Sequence, residues 1–120
     1  MNGEKGRLSP SQMPSRTEEI ILLAIWKLQG EAYGMAVREQ IQHSTGQLWS
    51  FGAVYAPLRR LTDKGLICSE LGEPTPMRGG RRKIFYQLTE EGLRAMADLR
   101  KVHQAMWSNL PTLTTPNNDS

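Results

Sequence analysis

The segment from Trp49 to Ile67, WSFGAVYAPLRRLTDKGLI, constrains this chain more than any other, because it carries both the start and the stop of one amphipathic helix. Ser50 predicts the N-cap, its hydroxyl meeting backbone N–H groups that the first turn leaves unpaired. Val54, Leu58 and Leu61 recur at helical spacing and define a buried stripe. Gly65 supplies a left-handed C-terminal residue, after which Leu66 and Ile67 open a new buried run. Pro57 lies inside this helix, removes the hydrogen bond to the Ala53 carbonyl, and predicts either a late start or a bend. The opposite face carries Tyr55, Arg59 and Arg60, with the small Gly52 and Ala53 near its beginning. A small, polar opening turn with a basic flank suits insertion into a DNA major groove. An ordinary core helix with solvated arginines has the same pattern, so the flanking segments have to decide.

Upstream, Ser15 and Glu18 have capping-box spacing and predict a first helix to about Gln29 over Ile20, Ile21, Leu23, Ala24 and Leu28, ended by Gly30. Trp26 falls on its flank. The apolar residues cover more than one face, as expected of a helix central to the core or shared with a partner chain. Residues 32–34 connect to a second helix, Met35 to Thr45, with Val37 and Ile41 inward and Gly46 as its stop. This helix, the turn from Gly46 to Trp49 and the following helix make a helix-turn-helix pattern.

Downstream, residues 66–71 and 83–88 read as two antiparallel strands, the second alternating Ile84 and Tyr86 with Phe85 and Gln87. The connection between them contains two prolines and three glycines, and ends in a basic cluster: Arg78, Arg81, Arg82 and Lys83. A hairpin of this kind placed after a helix-turn-helix is a wing, suited to phosphate or minor-groove contact; a solvated charge run in a loose loop is the plainer alternative. Thr89, with Glu90 and Glu91 in the first turn, predicts a last helix to about Asn109. Its apolar residues exceed one stripe, and residues 112–120 are too polar to cover them. The predicted outlet is packing of Leu93, Met96, Leu99, Val102, Met106 and Trp107 against Ile20 and Leu23 of the first helix and against a second subunit. The fold class expected is mainly α with a small β-hairpin (α+β): a mobile arm over 1–14, a winged helix-turn-helix over 15–89, a dimerisation helix over 90–110 and a disordered tail over 111–120.

Composition narrows the function classes. The 120 residues suffice for one modest core, and the net charge of +3 is mildly basic. No run of 18 or more apolar residues is present, and the N-terminal stretch lacks an apolar signal core, so a cytoplasmic protein with no membrane partner is expected. Cys68 is the single cysteine and reads as core; with His43 and His103 it offers no zinc-ligand spacing, and no glycine-rich phosphate loop follows a strand. The expectation is a non-enzyme without metal or cofactor. Arg60 ranks below Arg59 as a DNA contact because Asp63 or Glu91 is a ready ion-pair partner. A winged-helix module that binds protein instead of DNA is the competing class, disfavoured by the basic wing tip.

The local motifs resemble the PadR family of bacterial transcriptional regulators over about Glu18 to Trp107. The resemblance lies in Tyr33 and Gly34; in Ser50, Gly52, Tyr55, Leu58, Arg60 and Leu61; in Gly65, Leu66 and Ile67; and in Gly80, Arg81, Arg82, Lys83, Tyr86, Leu88, Thr89 and Gly92. Where that family often has Thr-Leu-Tyr-Pro, this chain has Ala53, Val54, Tyr55, Ala56 and Pro57, which displaces the proline by one position and removes a hydroxyl donor. The resemblance implies a homodimer built on the last helix, an inverted-repeat operator in double-stranded DNA, and repression. It implies DNA contacts from Ser50, Gly52, Ala53, Tyr55 and Arg59, from the helix start at Tyr33 and Gly34, and from Arg78, Arg81, Arg82 and Lys83. Some relatives bind small aromatic effectors at the dimer interface, which makes Trp26, Met96 and Trp107 a candidate effector site, with plain dimer core as the other reading of the same residues.

Overall fold

The computed structural model describes residues 12–74 and 82–116, so the predicted contacts at Arg78 and Arg81 lie outside the described residues. Four helices and one hairpin follow in the order α1 (Arg16–Leu28), α2 (Gly34–Thr45), α3 (Phe51–Asp63), β1 (Ile67–Leu71), β2 (Ile84–Leu88) and α4 (Glu90–Trp107). The fold is mainly α with a small β-hairpin, as the sequence predicts.

The caps explain most of the boundaries. Ser15 Oγ accepts from the Glu18 N–H at 3.2 Å while Glu18 Oε1 accepts from the Ser15 N–H at 3.0 Å, closing the capping box of α1. Its left-handed C-cap is Gln29, at φ 43°, one residue before Gly30. Ser50 caps α3 through the Ala53 N–H at 3.1 Å. At the far end the Leu66 N–H reaches the Leu61 carbonyl and the Gly65 N–H the Thr62 carbonyl, both at 3.0 Å, with Gly65 at φ 77°. That is a Schellman stop, and it turns the chain directly into β1. Pro57 neither delays α3 nor divides it: the helix runs on from Phe51 to Asp63, and the ring is fully buried. Burial of the ring offsets part of the roughly 3 kcal/mol that an interior proline costs.

The core is shared by Ile21, Leu22 and Ile25 of α1, Val37 and Ile41 of α2, Val54, Leu58 and Leu61 of α3, Leu66 and Ile67 at the start of the hairpin, and Ala95 of α4. The two strands pair antiparallel with Ile67 opposite Leu88 and Leu71 opposite Ile84. Tyr33 bridges to Phe85, and the Tyr86 N–H donates to the Ala32 carbonyl at 2.8 Å, so the predicted plain connection before α2 also serves as an edge for β2. The predicted alternation along β2 holds only in part. Ile84 is 46% exposed at the strand's outer end, while Phe85 is half-buried because it packs on Tyr33 from the other side.

Three further expectations are corrected. Cys68 is exposed, as is every residue of β1 after Ile67, because the strand leaves the core past its first residue. Arg60 pairs with Glu18 of α1 at 2.9 Å and not with Asp63 or Glu91. Leu99, assigned to a subunit interface, is 6% exposed and thus already buried within its own chain. Beyond it, every residue of α4 from Arg100 to Trp107 is exposed.

Candidate nucleic-acid interface

The turn between α2 and α3 is tied by several side-chain hydrogen bonds. Thr45 Oγ1 donates to the Ile41 carbonyl at 2.7 Å and accepts from the Gln47 N–H at 3.0 Å. The Trp49 indole N–H donates to Gln47 Oε1 at 3.1 Å, and Arg38 Nε reaches across from α2 to the Trp49 carbonyl at 2.6 Å. The Arg38 guanidinium also lies 4.6 Å above the centre of the Phe51 ring. The first turn of α3 therefore has a fixed direction relative to α2. On it, Ser50 and Gly52 are exposed and Ala53 half-exposed, and a Cβ built on Gly52 meets nothing within 4 Å. Arg59, further along, is exposed and makes no ion pair among the described residues.

Tyr55 also lies on this face, with an additional role. A Cβ added to Gly34 would collide with the Tyr55 phenol, so glycine at the first position of α2 is what lets the tyrosine lie across it. Tyr33, the N-cap of α2, forms no side-chain cap of its own, and the first N–H groups of that helix receive none from it. Its ring instead meets Phe85 edge-on, with centroids 5.6 Å apart, and carries Lys83 Nζ at 4.1 Å from its centre. Burial, and then the neighbouring Tyr55, push the Tyr86 phenol above its ordinary pKa. A chain of contacts thus runs from Lys83 at the wing base through Tyr33 and Gly34 to Tyr55 on α3. Arg82, beside Lys83, is exposed.

Of the residues expected to contact DNA, the structure brings together Tyr33, Gly34, Tyr55 and Lys83, and leaves Ser50, Gly52, Ala53 and Arg59 on the open side of α3. Arg38, Leu48 and Phe51 belong to the same surface and were not anticipated. Phe51 could not be picked out from the sequence: three residues before Val54 and seven before Leu58 it falls in phase with the buried stripe, and only the folded chain shows the ring left outside the core.

Away from these residues, α1 and α4 border an open groove of about 810 Å³ lined by Leu23, Trp26, Leu93, Met96 and His103 among others. His103 Nε2 and Glu19 Oε2 are 2.8 Å apart at its edge. Trp26 and Met96 both line this groove, but Trp107 is not among its lining residues, so the expected trio is not assembled within one chain. Among the described residues no group of three or more His, Cys, Asp or Glu is placed to hold a metal, and no helix is long and apolar enough to cross a membrane.

Several solved structures share this architecture. A transcriptional regulator from Clostridium thermocellum superposes with a TM-score of 0.64 at 23% identity, covering 82% of this chain and 90% of the other. A PadR family transcription regulator from Clostridium difficile gives 0.59 at 22% identity over 74% and 88%. A PadR-like transcriptional regulator from Bacillus cereus gives 0.61 at 24% identity over 74% and 82%. No curated protein sequence matches the chain. At these identities the structural likeness speaks for the winged-helix fold; the family follows from the sequence profile of the transcriptional regulator PadR-like family, which matches residues 21–98. With the capped, exposed α3, the wing anchored on Tyr33 and the profile spanning most of the chain, this protein belongs to the PadR-like family of transcriptional regulators.

Proposed function

We propose that the chain is a sequence-specific DNA-binding regulator, acting as a homodimer on an inverted-repeat operator and repressing transcription. The observation that carries this reading is the contact chain from Lys83 through Tyr33 and Gly34 to Tyr55, which couples the basic wing base to the exposed face of α3. In this reading α3 lies in the major groove, with Ser50, Gly52, Ala53, Tyr55 and Arg59 nearest base edges and phosphates. The start of α2 at Tyr33 and Gly34 holds a phosphate on its free N–H groups. Arg82 and Lys83, with Arg78 and Arg81 of the same wing, bind the flanking backbone. Most of these contacts position the protein and a few read sequence.

Residues 15–89 form the DNA-binding part and 90–110 the dimerising helix. The exposed Leu23, Trp26, Leu93, Val102, Met106 and Trp107 support a second copy as the cover for α4 and the groove beside it. Two α3 helices then reach successive major-groove faces about 34 Å apart. A small aromatic effector is the competing occupant of the groove. The second copy is favoured because the apolar exposure continues past the groove to Met106 and Trp107.

The test is fluorescence anisotropy with DNA from the promoter of the protein's own gene, titrated at several salt concentrations beside a scrambled duplex. Tight promoter binding with a steep salt slope and much weaker binding to the scramble is expected. Equal, weak binding to both would favour a winged-helix module that engages protein.

A further inference from the structure

Phe51 occupies the first helical position of α3 and is 55% exposed; Leu48, three residues earlier in the chain, is 62% exposed. A single exposed phenylalanine is ordinary on a protein surface. This one is held in place. The Arg38 guanidinium stacks 4.6 Å from the ring centre, and Arg38 is itself fixed by the 2.6 Å bond from its Nε to the Trp49 carbonyl. Gly52, the next residue, has no side chain to shield the ring, and nothing approaches its would-be Cβ. An apolar ring is thus presented, already oriented, at the leading end of the helix that the reading above places in the major groove.

We infer that Phe51 is a specificity-determining residue that reads the 5-methyl group of thymine, with Arg38 as its positioning residue. The inference rests on the DNA-binding reading. The thymine methyl is the one apolar group on a base-pair edge in the major groove, and an aromatic ring is a suitable partner for it. A guanine edge offers two acceptors to the same position. A phenylalanine would strip water from both and return no hydrogen bond, so G·C is disfavoured where Phe51 lands. Rotamer order supplied by Arg38 lowers the entropy lost on contact.

The test selects duplexes from a randomised library with the full-length protein, then replaces thymines in the selected site one at a time by deoxyuridine, which lacks only the methyl. At one position in each half-site the wild type is expected to lose roughly fourfold in affinity, and about fifteenfold when both half-sites are changed, the value of one buried methyl each. In Phe51→Ala the thymine and deoxyuridine duplexes should bind alike. In Arg38→Met the deoxyuridine penalty should shrink; a purely structural Arg38 would weaken both duplexes equally and leave the penalty intact. Wild-type protein indifferent to deoxyuridine at every position, or an undiminished penalty in Phe51→Ala, overturns the assignment. Enrichment of no sequence at all would bring down the DNA-binding reading and this inference with it. The wild-type arm does not depend on how any variant folds.

Discussion

Lys64 Nζ lies 2.7 Å from Glu18 Oε1, joining the end of α3 to the first turn of α1 across 46 residues. Arg60 adds a second bond to the same carboxylate at 2.9 Å, and the backbone N–H of Ser15 a third. Glu18 is buried although both cations are partly exposed. Burial alone would raise its pKa; the hydrogen bonds from Lys64, Ser15 and Arg60 outweigh burial and hold the carboxyl at about 2, against an ordinary 4.5. Because the folded pKa is the lower one, the stabilisation is fully present above the unfolded value and is lost as pH falls from 4.5 towards 2. The shift corresponds to about 3 kcal/mol, which screening of the exposed cations reduces to about 2. Urea unfolding of Glu18→Gln should therefore show a loss of about 2 kcal/mol at pH 7, with the gap to wild type closing as pH approaches 2. Parallel pH profiles for the two proteins would exclude this role for Glu18.

Gly34 and Tyr55 form a second coupled pair. Alanine at 34 would drive its methyl into the Tyr55 phenol, and the ring has Tyr86 as a further neighbour. Gly34→Ala should cost about 1–3 kcal/mol, as overpacking does, despite alanine's better helix propensity. In a Tyr55→Ala background the collision is gone, so the same substitution should become neutral or slightly stabilising. A double-mutant cycle measures this directly, and an additive result would mean that the ring swings away at no cost.

These two relationships show where the sequence was readable. Ser15 with Glu18, Ser50, Gly65 and Thr89 marked their helix ends because capping chemistry acts over three or four residues. The Val54, Leu58 and Leu61 stripe was equally local. Glu18 was legible as half of a capping box, yet its pairing with Arg60 and Lys64 was not, since charges more than forty residues apart leave no periodic trace. Tyr33 could be marked as part of a motif, but its place against Lys83 and Phe85 depends on how the hairpin folds back. Leu99 and Val102 looked alike on α4. Only the packed structure separates the one buried in its own chain from the one left open.

The open half of α4 leads to a prediction about assembly. Val102 and Met106 are exposed in the single chain, so charging them should leave the protomer folded while placing unpaired carboxylates in any interface built there. On the proposed homodimer, the wild type should run as two chains by light scattering at micromolar concentration and Val102→Glu with Met106→Glu as one, with unchanged helical content by circular dichroism. A variant that keeps the wild-type mass would place the interface elsewhere.

The wing base can be weighed through its salt dependence. Lys83 stands 4.1 Å from the Tyr33 ring centre, an arrangement that holds the ammonium in place without neutralising it, and Arg82 beside it is exposed. If both subunits of a dimer place Lys83 on phosphate, Lys83→Gln removes two phosphate contacts per complex. The slope of log affinity against log salt should then become shallower by about 1.8, because each phosphate contact on duplex DNA contributes about 0.9. Affinity should fall by a similar factor for operator and scrambled duplexes, since a phosphate contact carries no sequence information. Arg82→Gln should behave in the same way. Phe51→Ala should do the reverse, leaving the slope untouched while compressing the difference between the two duplexes. A Lys83→Gln variant with the wild-type slope would remove the wing base from the phosphate contacts and leave α3 and the start of α2 as the anchors.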